Sequence, residues 1–227
     1  MLAEQNSTSI LSTRLFGSQA RKENDLQSDK DVLVIIDENT KNLSSMQSHI
    51  QNSSNDDISV YTDKRIKQMF DEGHLFAWHL YLESKPLDGS KNDIWFYSLG
   101  RPALYTSEDQ DISDFIKILG EALIGFKNGK NIIFEAGLCH LACRNLGLFL
   151  SYKTTQTFDF SRYAAINLAP TWKLDIEKSL YDQLVMCRRI SSRGQSLEEI
   201  SHKQLKIAIT KIILWLTFLK KTYDFSI

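Results

Sequence analysis

The chain has 227 residues, 27 Lys+Arg against 28 Asp+Glu and a formal charge of -1, so bulk electrostatics does not mark it as a nucleic-acid binder. With 42% hydrophobic residues, ten glycines and three prolines, it can bury a sizeable core, which excludes a disordered or fibrous chain. Cys139, Cys143 and Cys187 form no CxxC pair, and their odd count argues against a disulfide framework.

The N-terminal stretch shows no cationic patch followed by a long apolar core. The greasiest segment is taken to be Ile207 to Leu219, 13 residues interrupted by Lys211, so no membrane span and a cytoplasmic location are expected. Asp31-Val-Leu-Val-Ile-Ile36 is an apolar, β-branched run of strand length, and Ile58-Ser-Val-Tyr61 is a shorter one; both suit a sheet interior. Thr62 is placed to cap a helix over 63–72, with Ile66, Met69 and Phe70 on one stripe and Gly73 after its end. Leu75 to Glu83 predicts another helix. Apolar residues then recur at three and four, giving helices near 112–127, 131–153, 173–191 and 196–222, the last with Leu205, Ile209, Ile212, Leu216 and Leu219 on one face. The break over 154–170 is rich in aromatics and is expected to pack on the bundle or line a cleft.

Charge divides along the same line. Residues 1–100 carry 10 Lys+Arg and 15 Asp+Glu, and residues 101–227 carry 17 and 13, so a boundary is placed between about 100 and 112. The C-terminal charges, Arg188, Arg189 and Lys220 among them, read as a solvated helix face, since no aromatic platform interleaves with them. Glu135, Cys139 and Cys143 follow one helix stripe and read as core packing, whereas Arg144 and Asn145 need partners in an apolar helix and are candidates to face an acceptor or nucleotide. His79 and Glu83 share a helix face without a third metal ligand, and His74 reads as structural.

The chemistry concentrates between Leu15 and Val34. Phe16-Gly17-Ser18 leads into a short helical stretch, and Ser28-Asp29-Lys30-Asp31 opens the first strong strand. Residues two apart on a strand share a face, so Asp29 and Asp31 meet at one point and present hard oxygen ligands suited to Mg²⁺ and a bound polyphosphate. Gly17 lets the backbone approach a phosphate, amides after Ser18 favour negative charge, and Arg21 adds a charge-assisted contact.

These residues resemble the signature of the DNA polymerase β-like nucleotidyltransferase superfamily, and Phe-Gly-Ser-x-Ala-Arg with Ser28-Asp29-x-Asp31 is most similar to its minimal members. The resemblance implies an α/β fold, a mixed β-sheet nucleotidyltransferase core over residues 1–105, followed by an all-α helical bundle over 106–227 that binds the acceptor or a partner. It implies that Gly17, Ser18, Arg21 and Ser28 bind an NTP, ATP first, while Asp29 and Asp31 are the catalytic pair that holds Mg²⁺. A nucleoside monophosphate then passes to a protein or RNA acceptor, in a toxin–antitoxin or antiviral defence setting with a cognate toxin or defence partner; self-association into a homo-oligomer is left open. The resemblance also implies a third carboxylate on a neighbouring strand. Its counterpart falls near Ser59, which is not acidic, with Asp57 and Asp63 flanking it, and Lys30 stands where a hydrophobic residue is usual. Two other outcomes are therefore carried: an inactive binding module of the same fold, and transfer to a small cationic acceptor of aminoglycoside type. The bundle resembles HEPN-type partners in helicity alone; no Arg is followed by His at the HEPN ribonuclease spacing, and no RNase activity is expected.

Overall fold

The computed structural model describes residues 10–22, 30–40, 44, 45, 48, 50, 56–87, 93–129, 131–194 and 200–223. Two compact units divide the chain, 1–106 and 107–227.

Among the described residues the first unit is built on a four-stranded mixed sheet in the order β3-β2-β1-β4, with β1 Ile10–Phe16, β2 Asp31–Ile36, β3 Asp57–Thr62 and β4 Lys85–Pro86. β1 runs antiparallel to β2 and β4, and β2 runs parallel to β3. β2 is the sheet's centre of mass in the chemical sense. Its Leu33 and Ile35 pack with Ile66, Phe70, Leu80 and Phe96 on one face, and its Val32, Val34 and Ile36 pack with Ile50, Ile58 and Val60 on the other. Burial on both faces is why β2 reads as an unbroken apolar run rather than an alternating one.

Strand β1 escapes sequence reading because its buried positions are polar: Ser12 is 6% exposed and Arg14 only 2%. Asp93 satisfies both. It accepts from Ser12 Oγ at 2.6 Å and pairs with Arg14 Nη1, while its other oxygen caps the helix Ile94–Ser98 through Phe96 N at 3.3 Å. The Arg14 guanidinium also lies 3.7 Å over the Phe96 ring and donates to Ser84 Oγ and Ser84 O. A buried cation is tolerable only with such complete pairing.

Helices α2 (Asp63–Asp71) and α3 (Leu75–Glu83) follow β3, one α1 (Gly17–Arg21) having followed β1, and Ile94–Ser98 is α4. Thr62 caps α2 by accepting from Arg65 N at 3.2 Å, as its position predicts. Gly73 ends the turn at φ +66, where a methyl group would run into the carbonyls of Ala103 and Leu104.

The second unit is helical: α5 (Glu108–Lys127), α6 (Ile132–Thr155), α7 (Ala164–Asn167), α8 (Lys178–Arg193) and α9 (His202–Tyr223). The α9 stripe from Leu205 to Leu219 is buried at all five positions read from the sequence. Among the described residues it is α6, not the Ile207–Leu219 segment, that is long and apolar enough to cross a membrane; it is mostly buried as the unit's core helix, which is why it can be apolar all round. Burial pushes the Cys139 thiol up to about 12, with Glu135 and Cys187 adding to it, and burial also pushes Cys143 well above its ordinary value, so both are core hydrophobes. The 154–170 segment packs on the unit, with Phe158 stacked on Tyr152 at 4.3 Å between ring centroids.

Candidate nucleotide site

The antiparallel register pairs Phe16 with Asp31, so the residue after Phe16 leaves the sheet beside the Asp31 side chain. That residue is Gly17, at φ +70. A methyl group there would fall on Asp31 Oδ2 and stand 3.0 Å from its Cγ. Glycine is thus required twice, by backbone conformation and by the carboxylate that fills the place of its missing side chain. Ser18 follows in α1, and Asp31 is half-buried at the start of β2.

Parallel pairing sets Asp57 of β3 in register with Asp31, pinned by a 3.0 Å bond from Asp57 N to Lys30 O. Register partners in adjacent strands share a sheet face, so Asp57 stands on the Asp31 face and is exposed. Ser59 is partnered instead by the fully buried Leu33. The position at which the resemblance calls for an acid therefore lies two residue pairs deeper into the sheet than the pair that carries one. Lys30 turns to Asp56, with Nζ 2.8 Å from Oδ2.

Arg21, at the end of α1, donates through Nη1 to Glu83 Oε2 at 2.6 Å, and His79 Nε2 lies 2.9 Å from the same oxygen. Phe16 packs edge-on to both Phe76 and His79 at 5.6 Å between ring centroids. His74 caps α3, its Nδ1 accepting from Phe76 N at 3.1 Å.

Of the sequence-predicted residues, Gly17, Ser18 and Asp31 come together, Arg21 joins them through α1 while engaging Glu83, and Ser28 and Asp29 lie outside the described residues. Among the described residues no group of three or more His, Cys, Asp and Glu side chains converges on a metal position. In the second unit Arg144 donates to Phe160 O at 2.9 Å and to Asn145 Oδ1 at 3.1 Å, so this pair ties α6 to the segment that follows it.

Residues 2–114 match the sequence model of the nucleotidyltransferase domain family. The chain carries a nucleotidyltransferase domain. No curated protein matches the chain. The bend at Gly17 and the strand entering at Asp31 are the positions for which the sequence resemblance implies nucleotide and metal. Two features fit a magnesium ion: the donors are hard carboxylate oxygens, and the Asp31 carboxylate is seated in a cradle that a Cβ at position 17 would fill. Sequence reasoning had Asp57 in hand only as a flanking acid, because strand register is not visible in one strand alone. Glu83 is legible in the sequence only as sharing a helix face with His79; its bond to Arg21 is not, since the two lie 62 residues apart.

Proposed function

We propose that this protein transfers a nucleoside monophosphate from an NTP, ATP first, to a hydroxyl of a protein or RNA acceptor, with Mg²⁺ held by Asp29 and Asp31. The observation that carries the reading is the Asp31 carboxylate lodged against the bare α-carbon of Gly17 within a nucleotidyltransferase domain. Gly17 and Ser18 line the approach of the triphosphate, because a backbone without a side chain admits phosphate oxygens closely. Asp57, in register with Asp31, supplies the third carboxylate that Ser59 does not. Bound magnesium neutralises the triphosphate and so lowers its resistance to attack.

In the transfer, the acceptor oxygen bonds to the α-phosphorus, the bond from that phosphorus to the bridging oxygen breaks, and pyrophosphate leaves with the electron pair. The acceptor's proton passes to the Asp57 carboxylate, a role supported by its register with Asp31. The rest is positioning, and no covalent enzyme intermediate is needed. The helical unit selects the acceptor, and a cytoplasmic toxin–antitoxin or defence setting, with a cognate partner, gives such a modification its use.

The test incubates the purified full chain with Mg²⁺ and α-labelled NTPs, alone, with copurifying RNA and with proteins encoded beside it. Label on one of these acceptors, lost in Asp31→Ala and strongly reduced in Asp57→Asn, is expected. Nucleotide binding without transfer to any acceptor would make the protein a binding module instead, and transfer to an aminoglycoside alone would replace the macromolecular acceptor.

A further inference from the structure

α1 is five residues long, too short to hold a helical turn by its own hydrogen bonds, so its place is set by what it touches. Ala20 is 1% exposed, and its carbonyl accepts from Lys85 Nζ. The preceding Phe16 packs on Phe76 and His79. Arg21 closes the set with its bond to Glu83, the last residue of α3. Every one of these contacts comes from α3 or β4, and those of Ala20 and Arg21 fasten the far end of the segment whose near end, Gly17, meets Asp31.

Glu83 differs from the surface ion pairs of the same unit. Side chains of Arg21, Glu83 and His79 are 17, 13 and 18% exposed, whereas Lys64 and Glu38 pair at 76 and 41%. A solvated pair of the latter kind contributes little, but a shielded, charge-assisted bond at 2.6 Å is less screened and directional. One carboxylate oxygen engages a residue of α1 and a residue one turn back on α3, so it couples the two helices at a point.

We propose that Glu83 is a positioning residue of the nucleotide site: by holding Arg21 at its carboxylate it fixes α1, and with it the Gly17–Ser18 bend against Asp31. This rests on the reading of that bend as the place where the triphosphate binds. A neutral amide at position 83 keeps the shape but gives up the charge that orders the guanidinium, and an aspartate keeps the charge with shorter reach.

The experiment measures equilibrium binding of Mg²⁺–ATP to the full chain for wild type, Glu83→Gln, Glu83→Asp, Arg21→Ala and the Arg21→Ala/Glu83→Gln double variant, with thermal unfolding of each. Glu83→Gln is expected to weaken binding roughly tenfold with its melting transition preserved, Glu83→Asp to recover part of it, and the double variant to bind no worse than Arg21→Ala alone. If Glu83→Gln destabilises the fold, Glu83→Asp and Arg21→Ala still report the coupling through affinity. Unchanged affinity in Glu83→Gln, or losses that simply add in the double variant, overturn the inference while leaving the nucleotide site standing. A wild-type chain that binds no nucleotide overturns both.

Discussion

The interiors of the two units handle buried polarity in opposite ways. In the first unit it is ionic and paired: Arg14 with Asp93, and Arg21 with Glu83. In the second it is neutral: His140, Tyr181, Cys139 and Cys143 are buried, and each is shifted toward its uncharged form. Burial pulls the His140 imidazolium down to about 3; the Arg162 carbonyl opposes this, and the Arg144, Arg188 and Arg162 charges reinforce it. The contrast teaches where each unit has something to aim. Charge pairs fix direction, and the first unit spends them around β1 and α1, the elements that flank the Gly17 bend. A bundle held by apolar stripes has no such need.

The largest effect should come from breaking the buried pair. Arg14→Ala leaves Asp93 uncompensated and is expected to lower stability by about 3–5 kcal/mol in urea unfolding, whereas replacing both partners with apolar residues of similar volume should recover most of the loss. A loss as small as that of a surface pair would show that the first unit is no more dependent on charge than the second.

His140 gives an intermediate effect, and its sign follows from its lowered folded value. The unfolded state takes up a proton below about 6.5 and the folded state does not until about 3, so the contribution is complete above 6.5 and fades as pH falls through that window. Between pH 7.5 and 5 the wild type should lose about 2 kcal/mol more than His140→Gln, at about 1.4 kcal/mol per pH unit. Equal pH slopes in the two proteins would contradict a neutral buried His140.

The smallest effect sharpens the contrast from the other side. Tyr181 Oη is buried without a hydrogen-bond partner among the described residues, so Tyr181→Phe should unfold within about 1 kcal/mol of the wild type or prove more stable. A large loss would mean that the helical unit depends on that hydroxyl.

What was legible in the sequence follows the same division. β2 could be read because both of its faces are apolar, and α9 because its stripe keeps the helical period. Thr62 and Gly73 were legible as caps because capping is a local matter. β1 was not, since its buried residues are Ser12 and Arg14 and the group that makes them acceptable inside, Asp93, lies 79 residues beyond Arg14. β4 and α4 are too short, at two and five residues, to show a period at all. In the site, Gly17 and Asp31 announced themselves through residue type and spacing. Asp57 and Glu83 did not, because one depends on strand register and the other on a long-range ion pair. The apolar character of α6 is harder to read than that of α9, since its small residues, Ala136, Gly137, Ala142 and Gly147, dilute the visible run while still packing in the core.

The account turns on whether the Asp31 carboxylate beside Gly17 grips a metal-bound nucleotide. Titrating Mn²⁺–ATP into the wild type and into Asp31→Ala, with the free-ion signal of Mn²⁺ as the readout, tests this without any acceptor. Saturable binding by the wild type, weakened roughly tenfold or more by the substitution, is predicted. Equal binding by the two proteins would contradict it.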